Sequence, residues 1–527
     1  MSDKQAHAQR LLRSGATGLQ AVLIVLALSV PVWAILSAIS AVWDPANAED
    51  LKSLVNLSRW MALLRNTAIV CGVAVVTAGV LGALLGLLST RTDMPGHRLL
   101  TGAALYGACV PVYISTVFFF AVISKNALIG AGVTCGFLYG LAYTPLATLI
   151  LGAAFRSSDR GLEEQALLDT GPWSVLWRVT IPQAVWGFVV LGLVVLLFVA
   201  TDFTITDILT VRTFAEECYS QYQLYRCRLG PLLTAVPILI VLAVLLVSAQ
   251  VRYRFFGEQS PWQFGTRPRV LSLGSWRWVC AGLCVVAVVG GAGVPTAVLL
   301  SKVESAAGFA TSYVGVQPDL LTSLSLGPAG ATIVVLGALW PAWAVARGGR
   351  LARWGIGSML VLLLALPAPV VGISLIEMLN RPGPCGWLYD RPLVVVFGYF
   401  VRFLPIGILL LIPGARRVPH ELEWAARVDG CDWVGVQRHV RWPAMVTDIG
   451  IVWLVVLVLC FAELGTTNLV FPPDWATASV RAFTLIHNGV YRDLAVLALV
   501  SIAFILLPWV LLAWLLKRTL TGARVRA

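Results

Sequence analysis

Long apolar runs separated by short polar ones dominate this chain. A membrane span needs ~20 predominantly apolar residues. Twelve such runs begin near Leu19, Asn66, Leu99, Leu128, Ala184 and Pro231, then near Trp278, Thr322, Ile356, Pro392, Met445 and Leu494. Each is predicted helical, because hydrocarbon offers no partner to an open backbone. The run from Leu128 starts in a Gly-rich stretch. Between Arg252 and Trp276 the pattern lapses into a polar, basic linker with Pro261, Gly265 and Pro268 and no helical period. The linker, 252–276, separates a first half, 1–251, from a second, 277–527, with six runs in each. An even number of spans returns the chain to its starting side. The halves therefore form a parallel repeat about an axis along the membrane normal.

The polar intervals repeat as well. Glu163-Glu164-Gln165-Ala166-Leu167-Leu168-Asp169, then Gly171, then Ile181-Pro182 lie in the loop 156–183. Glu423-Trp424-Ala425-Ala426-Arg427-Val428-Asp429-Gly430, then Trp442-Pro443 lie in the loop 413–444. The two prolines are 261 positions apart, close to half the chain. Glu163 and Glu164 suit a helix N-terminus through the macrodipole, and Gly171-Pro172 ends that helix. Trp173, Leu176 and Trp177 then recur at helical spacing, as do Trp433, Val436 and Val440 in the second copy. Each loop is thus a short helix-turn-helix arm with apolar groups to bury. A partner subunit and the arm's own membrane face are both compatible receivers.

Composition settles the class. The chain has 527 residues, 58% hydrophobic and 12% charged, with a mean hydropathy of +0.85. A soluble fold carries about 25% charged residues. The reading is an all-α integral membrane protein with about twelve transmembrane helices. About two thirds of the 38 basic residues fall on one side if the N-terminus is cytoplasmic, which puts both termini and both arms there. The net charge of +12 is a topology signal, and no nucleic-acid partner is expected, since no soluble domain carries the charge on one face. Lys4 to Arg13 before the first run suit a signal peptide, but further apolar sequence follows Pro31 and Trp33 without a small-residue cleavage site, so an uncleaved span is expected. The extracytoplasmic loops 43–65, 202–230, 302–321 and 465–492 are too short for a receptor domain.

Chemistry-bearing residues are few. The five histidines are isolated and no metal-ligand spacing occurs, so no metal site is expected. Of ten cysteines, Cys218 and Cys227 share one extracytoplasmic loop, where a disulfide and two thiols are both open readings. About twenty residues past each arm's proline stand Asp202 and Glu463, at the matched ends of the fifth and eleventh runs. They are candidates for an acidic ring at the mouth or a contact for a docked protein; solvated helix ends are the plainer alternative. Glu377 and Arg402 lie inside the ninth and tenth runs. Each costs ~2.5–3.5 kcal/mol at a bilayer centre, so they should pair, snorkel or line a cavity. The matching first-half positions, near Phe119 and Ala142, are uncharged. Tyr106, Tyr113, Tyr139 and Tyr143 are path-lining or interfacial.

The doubled loop resembles the EAA loop of binding-protein-dependent ABC importer permeases, whose consensus runs Glu-Ala-Ala, three residues, Gly, then Ile-x-Leu-Pro. The whole chain resembles fused two-half members, especially the ferric-iron type, on Leu362 to Leu375 with Pro367 and Pro369, on Tyr399-Phe400-Val401-Arg402-Phe403-Leu404-Pro405, and on the post-loop acids. The resemblance implies the type I importer permease fold in each half, in a bacterial inner membrane. It implies that Glu163, Glu164, Ala166, Asp169, Gly171 and Pro182, with Glu423, Ala425, Ala426, Asp429, Gly430 and Pro443, form coupling arms for two copies of an ATPase subunit. ATP-Mg would sit on those subunits, since this chain has no Gly-x4-Gly-Lys-Ser/Thr cradle and no cofactor of its own is expected. An extracytoplasmic binding protein would deliver the cargo: ferric iron first, thiamine or a phosphonate next. The sequence departs from the pattern at Gln165, at Thr170 where the family has Gly, and at Trp424; the first arm is also one residue shorter between Asp and Pro. The rival from another class is an ion-coupled secondary transporter working through Asp202, Glu377 or Glu463. No nucleophile–base or metal constellation supports a membrane enzyme.

Overall fold

Apolar runs become helices almost wherever the chain is described. The computed structural model describes residues 3–43, 57–112, 114–115, 130–225, 271–303 and 305–526, with a few positions between 236 and 248. In the first half the long helices are α1 (Asp3–Val42), α2 (Leu57–Arg91), α3 (His97–Cys109) and α4 (Ala131–Arg156). The first arm follows as α5 (Arg160–Asp169), α6 (Pro172–Val175), a wide π turn over Leu176–Thr180, and α7 (Ile181–Gln183). Then come α8 (Val185–Thr201), α9 (Thr204–Ile208) and α10 (Phe214–Tyr225).

The second half opens with α11 (Trp276–Val288), a second π turn (Val289–Gly293) and α12 (Val294–Val303). It continues with α13 (Ala306–Arg347), α14 (Arg350–Ala365), α15 (Ala368–Leu379), α16 (Pro384–Tyr389) and α17 (Leu393–Arg417). The second arm is α18 (His420–Val428), α19 (Trp433–Val436) and a third π turn (Gln437–Arg441). The chain ends with α20 (Trp442–Ala462), α21 (Thr467–Val470), α22 (Ala478–His487) and α23 (Tyr491–Arg526). Among the described residues the only β pairing is an isolated bridge, Thr92 to Leu271.

Among the described residues eight helices are long and apolar enough to cross a membrane, and two bent pairs bring the total to ten. These ten match ten of the twelve runs. The run from Leu99 is described only over its first part, and the run from Pro231 only at a few positions between 236 and 248. The sharper bend has a local cause. A proline pushes the residue before it out of the helical region. Leu366, before Pro367, is extended (φ −70°, ψ 120°), and α14 and α15 meet at 99°. Val110, before Pro111, takes the same backbone (φ −77°, ψ 123°) at the end of α3. The third run is therefore broken at the same place in both halves.

The helices sort into two compact units. One holds Met1–Ala48, Asp319–Val480 and Leu507–Ala527; the other holds Glu49–Pro318 and Arg481–Leu506. In the first, α1 packs on α14, α15 and α17, all from the second half. In the second, α2 and α4 lie so close that a Cβ placed on Gly82 would fall 2.4 Å from Ala147 Cβ, the close approach that small residues allow in lipid. There α11 packs on α3, with Cys284 in a cluster with Leu88, Met94 and Leu100. The units therefore cut across the sequence halves: each half lends its first span to the other.

Candidate functional site

The two arms are built alike around one buried glutamate. In the first, Asp159 caps α5, its carboxylate accepting from Gly161 N at 2.8 Å and Leu162 N at 3.4 Å. That start turns Glu163 inward, where its side chain is 2% exposed. Its Oε1 accepts from Arg91, at the end of α2, from Thr180 Oγ1 at 2.8 Å and from Ser158 Oγ at 2.6 Å. In the second arm Glu423 accepts from Arg441 Nη2 at 2.8 Å. Arg441 stands where the first arm has Thr180, and its guanidinium lies 4.1 Å from the Trp343 ring of α13. Glu163 thus ties its arm directly to the second helix of its half, while Glu423 holds the Arg441 that reaches α13, the second span of the second half. A carboxylate this deeply buried needs such a partner. Neither is available to a docking protein.

The other arm residues face outward. Glu164 is exposed and pairs with Arg160 at 2.7 Å, while Asp169, Gly171, Pro182, Ala425, Asp429, Gly430 and Pro443 are exposed; Ala166 and Ala426 are half-buried. Between them stand apolar side chains that the sequence reading passed over. Leu168 and Val428, 260 positions apart, are each 86% exposed, and Leu162 and Leu422 are an exposed pair at the same offset. Trp173 and Trp177, which the helical spacing had singled out, are exposed too, as is Trp424. The signal was in the sequence: apolar residues at the same place in two otherwise polar loops. Arg91 and Arg441 were also visible, but only as topology charges.

The glycines divide differently than expected. Gly430 has φ +83°, its N–H donates to Arg427 O at 3.1 Å, and Cys431 N–H donates to Ala426 O at 2.8 Å. This is a Schellman end, which wants glycine. Its counterpart is Thr170, not Gly171. Thr170 is extended and returns its hydroxyl to Ala166 O at 2.9 Å, while Gly171 has φ −72° and begins α6. Ending α5 without a left-handed residue is why the first arm is one residue shorter.

At the far ends of α8 and α20 both acids are engaged within their own halves. Asp202 is half-buried and Glu463 is 6% exposed. Each caps the turn after its helix: Asp202 accepts from Thr204 N at 3.0 Å and Thr204 Oγ1 at 2.6 Å, Glu463 from Thr466 N at 2.7 Å. Each also ties back to the fourth span of its half. Asp202 accepts from Tyr139 OH at 3.2 Å, and Glu463 from Arg402 Nε at 2.8 Å. Of the readings open for Arg402, pairing is the one observed, and its partner is Glu463. Glu377 is half-buried on the last turn of α15, its carbonyl accepting from Arg381 Nε at 3.1 Å. The two halves repeat the aromatic pairing beside these acids, Tyr139 on Tyr143 and Tyr399 on Phe403. Tyr106 bonds Thr296 at 2.7 Å; Tyr113, Phe119 and Cys227 lie outside the described residues. Among the described residues no three His, Cys, Asp or Glu side chains gather as metal ligands.

No family model matches the chain. Individual relatives do. The Fe(3+)-transport system permease protein FbpB 2 of Haemophilus influenzae is 24% identical over 459 residues, 85% of this chain and 88% of that protein. The putative 2-aminoethylphosphonate transport system permease protein PhnV of Salmonella typhimurium is 28% identical over 191 residues, 36% of this chain and 70% of that protein. The diacetylchitobiose uptake system permease protein NgcG of Streptomyces coelicolor is 27% identical over 206 residues, 38% of this chain and 68% of its own length. Similarity to the first of these permeases runs through both halves; the other two align with about a third of the chain.

Proposed function

We propose that this chain is the fused permease subunit of an ATP-driven importer, with both arms and both termini in the cytoplasm of a bacterial inner membrane. The observation that carries the reading is the matched pair of arms, each braced from within by a buried glutamate and each presenting apolar side chains outward. Leu168 and Val428, at equivalent positions, give two ATPase copies equivalent handholds. Those subunits bind ATP-Mg, and their closure rocks the spans through the braced arms. A separate extracytoplasmic protein delivers the cargo. Ferric iron leads, on similarity to the iron permease over most of the chain; a phosphonate is next, and thiamine stays open within the same family.

The test is purification of the tagged chain from gently solubilised native membranes, with mass spectrometry of what accompanies it. An ATPase at two copies per chain is the expected result. An intact chain that repeatedly arrives alone, and drives uptake in proteoliposomes on an ion gradient, would replace this reading with the secondary transporter.

A further inference from the structure

Each arm has an outgoing leg, α5 or α18, and a return leg that leads into a span. In the first arm α6 and α7 lead into α8; in the second α19 leads into α20. The charges separate between the legs. The outgoing legs carry Glu163, Glu164 and Asp169, and Glu421, Glu423 and Asp429. From Pro172 to Thr201 the one charged residue is Arg178. From Trp433 to Thr447 there is no acid, only Arg438 and Arg441 beside His439.

The apolar groups of the return legs continue the outer side of the spans. Trp173, Trp177, Ile181, Val185 and Val189 stand four residues apart. A four-residue step overshoots an α turn by about 40°. The wide π turn over Leu176–Thr180 takes some of that back. Trp173 and Trp177 are 68% and 67% exposed, Val185 and Val189 on α8 are exposed below them, and Ile181 between is half-buried. Val175, Leu176, Thr180 and Ala184 are buried on the other side. The second leg repeats the stripe: Arg438, Trp442 and Val446, equivalent to Trp177, Ile181 and Val185, are all exposed. The outer side of α8 and α20 faces lipid, so the stripe on each return leg runs on from a lipid-facing surface.

Length agrees. About 20 residues cross the hydrocarbon, and the stretch Val434–Ala462 has 29. Its surplus of roughly two turns has to lie outside the hydrocarbon, and the basic residues put that surplus at the arm end. In the first half the surplus is turned aside, with Pro172–Gln183 meeting Val185–Thr201 at 54°.

We propose that the return leg of each arm is seated in the headgroup layer of the membrane. Trp173 and Trp177 anchor the first leg and Trp442 the second, with Arg178 and Arg438 against anionic headgroups. Tryptophan gathers at that depth because its ring is apolar and its N–H polar. An acid-free basic leg with exposed Trp suits an anionic lipid surface. The outgoing legs, with Leu162, Leu168, Leu422 and Val428, are then left for the ATPase. The seat needs only that the chain spans a membrane; the division of labour between the legs rests on the permease reading.

The experiment is a depth measurement on a spin label, in the full-length chain rebuilt into liposomes of phosphatidylethanolamine and phosphatidylglycerol. The label sits on Trp177→Cys or on Leu168→Cys, in a background of Cys227→Ser, Cys280→Ser, Cys385→Ser and Cys431→Ser. Depth is read from relaxation by oxygen against relaxation by a water-soluble nickel chelate. The label on Trp177→Cys should read about 5–10 Å into the boundary between headgroups and acyl chains, and that on Leu168→Cys should read water. Equal exposure of the two labels to nickel would overturn the proposal. So would a label on Trp177→Cys that leaves water only when the ATPase is added, since the leg would then be a protein-docking face. If Trp177→Cys fails to accumulate, Arg438→Cys, at the equivalent position of the second leg, decides by the same criterion. Depth is read without the ATPase, so failure of the co-purification test leaves this result standing.

Discussion

At the residue scale, glycine and carboxylate positions give the sharpest tests. Gly430 holds a left-handed backbone with open space around it, so an added methyl meets no neighbour but strains the turn. The strain is about 1–2 kcal/mol for an L-residue in that region. Gly430→Ala should lower the melting temperature of the detergent-purified protein and weaken ATPase-coupled transport. Gly171→Ala, at φ −72° and equally uncrowded, should do neither. Equal effects would mean that the two glycines are equivalent after all. Glu216, on α10, tests charge. Burial raises its carboxyl above the ordinary range; one oxygen accepts from Ser220 Oγ at 2.6 Å and the other is buried with no donor. The folded state therefore keeps a proton that the unfolded state releases above pH ~4.3. Stability falls as pH rises from there through the raised value. Glu216→Gln should flatten that fall and melt higher than the parent at pH 8. An unchanged slope would show that the carboxylate is stabilised by other means.

At the element scale, an arm has an inside and an outside, and the two should fail differently. Glu163→Ala strands Arg91 in a site where both side chains are 2% exposed, a loss of ~3–5 kcal/mol for a broken buried pair. That variant should accumulate poorly. Leu168→Asp with Val428→Asp changes only exposed positions. It should leave abundance and melting temperature unchanged while abolishing ATPase co-purification, as judged by tagged pull-down. Retained ATPase would place the docking surface elsewhere. The arms were legible as elements because their punctuation is local: acids at the start, Gly or Thr at the turn, Pro at the end. The inward turn of Glu163 was not, because it depends on Arg91, 72 residues earlier. The same limit hid Arg402's partner, 61 residues on. The breaks at Val110-Pro111 and Leu366-Pro367 needed only the pre-proline rule. The π turns before Pro182 and Pro443 have no such mark.

At the scale of the whole molecule, the repeat was readable and its interleaving was not. Apolar runs count spans, and their parity gives a parallel repeat, but nothing in an apolar run names the helix it packs against. The structure gives each half's first span to the other: α1 lies on α14, α15 and α17, while α11 lies on α3. Each half alone therefore leaves a helix without its packing face and a face without its helix. In lipid the loss is of close packing and internal polar contacts rather than of burial from water. Residues 1–251 and 277–527, expressed as separate chains, should each be degraded when made alone. Expressed together they should associate and restore transport, since neither exchange depends on a covalent link. Pull-down of one tagged half and immunoblotting of the other measures this directly. Stable accumulation of a lone half, with α1 or α11 protease-protected in it, would mean that the spans pack within their own halves and that the exchange is not needed for folding.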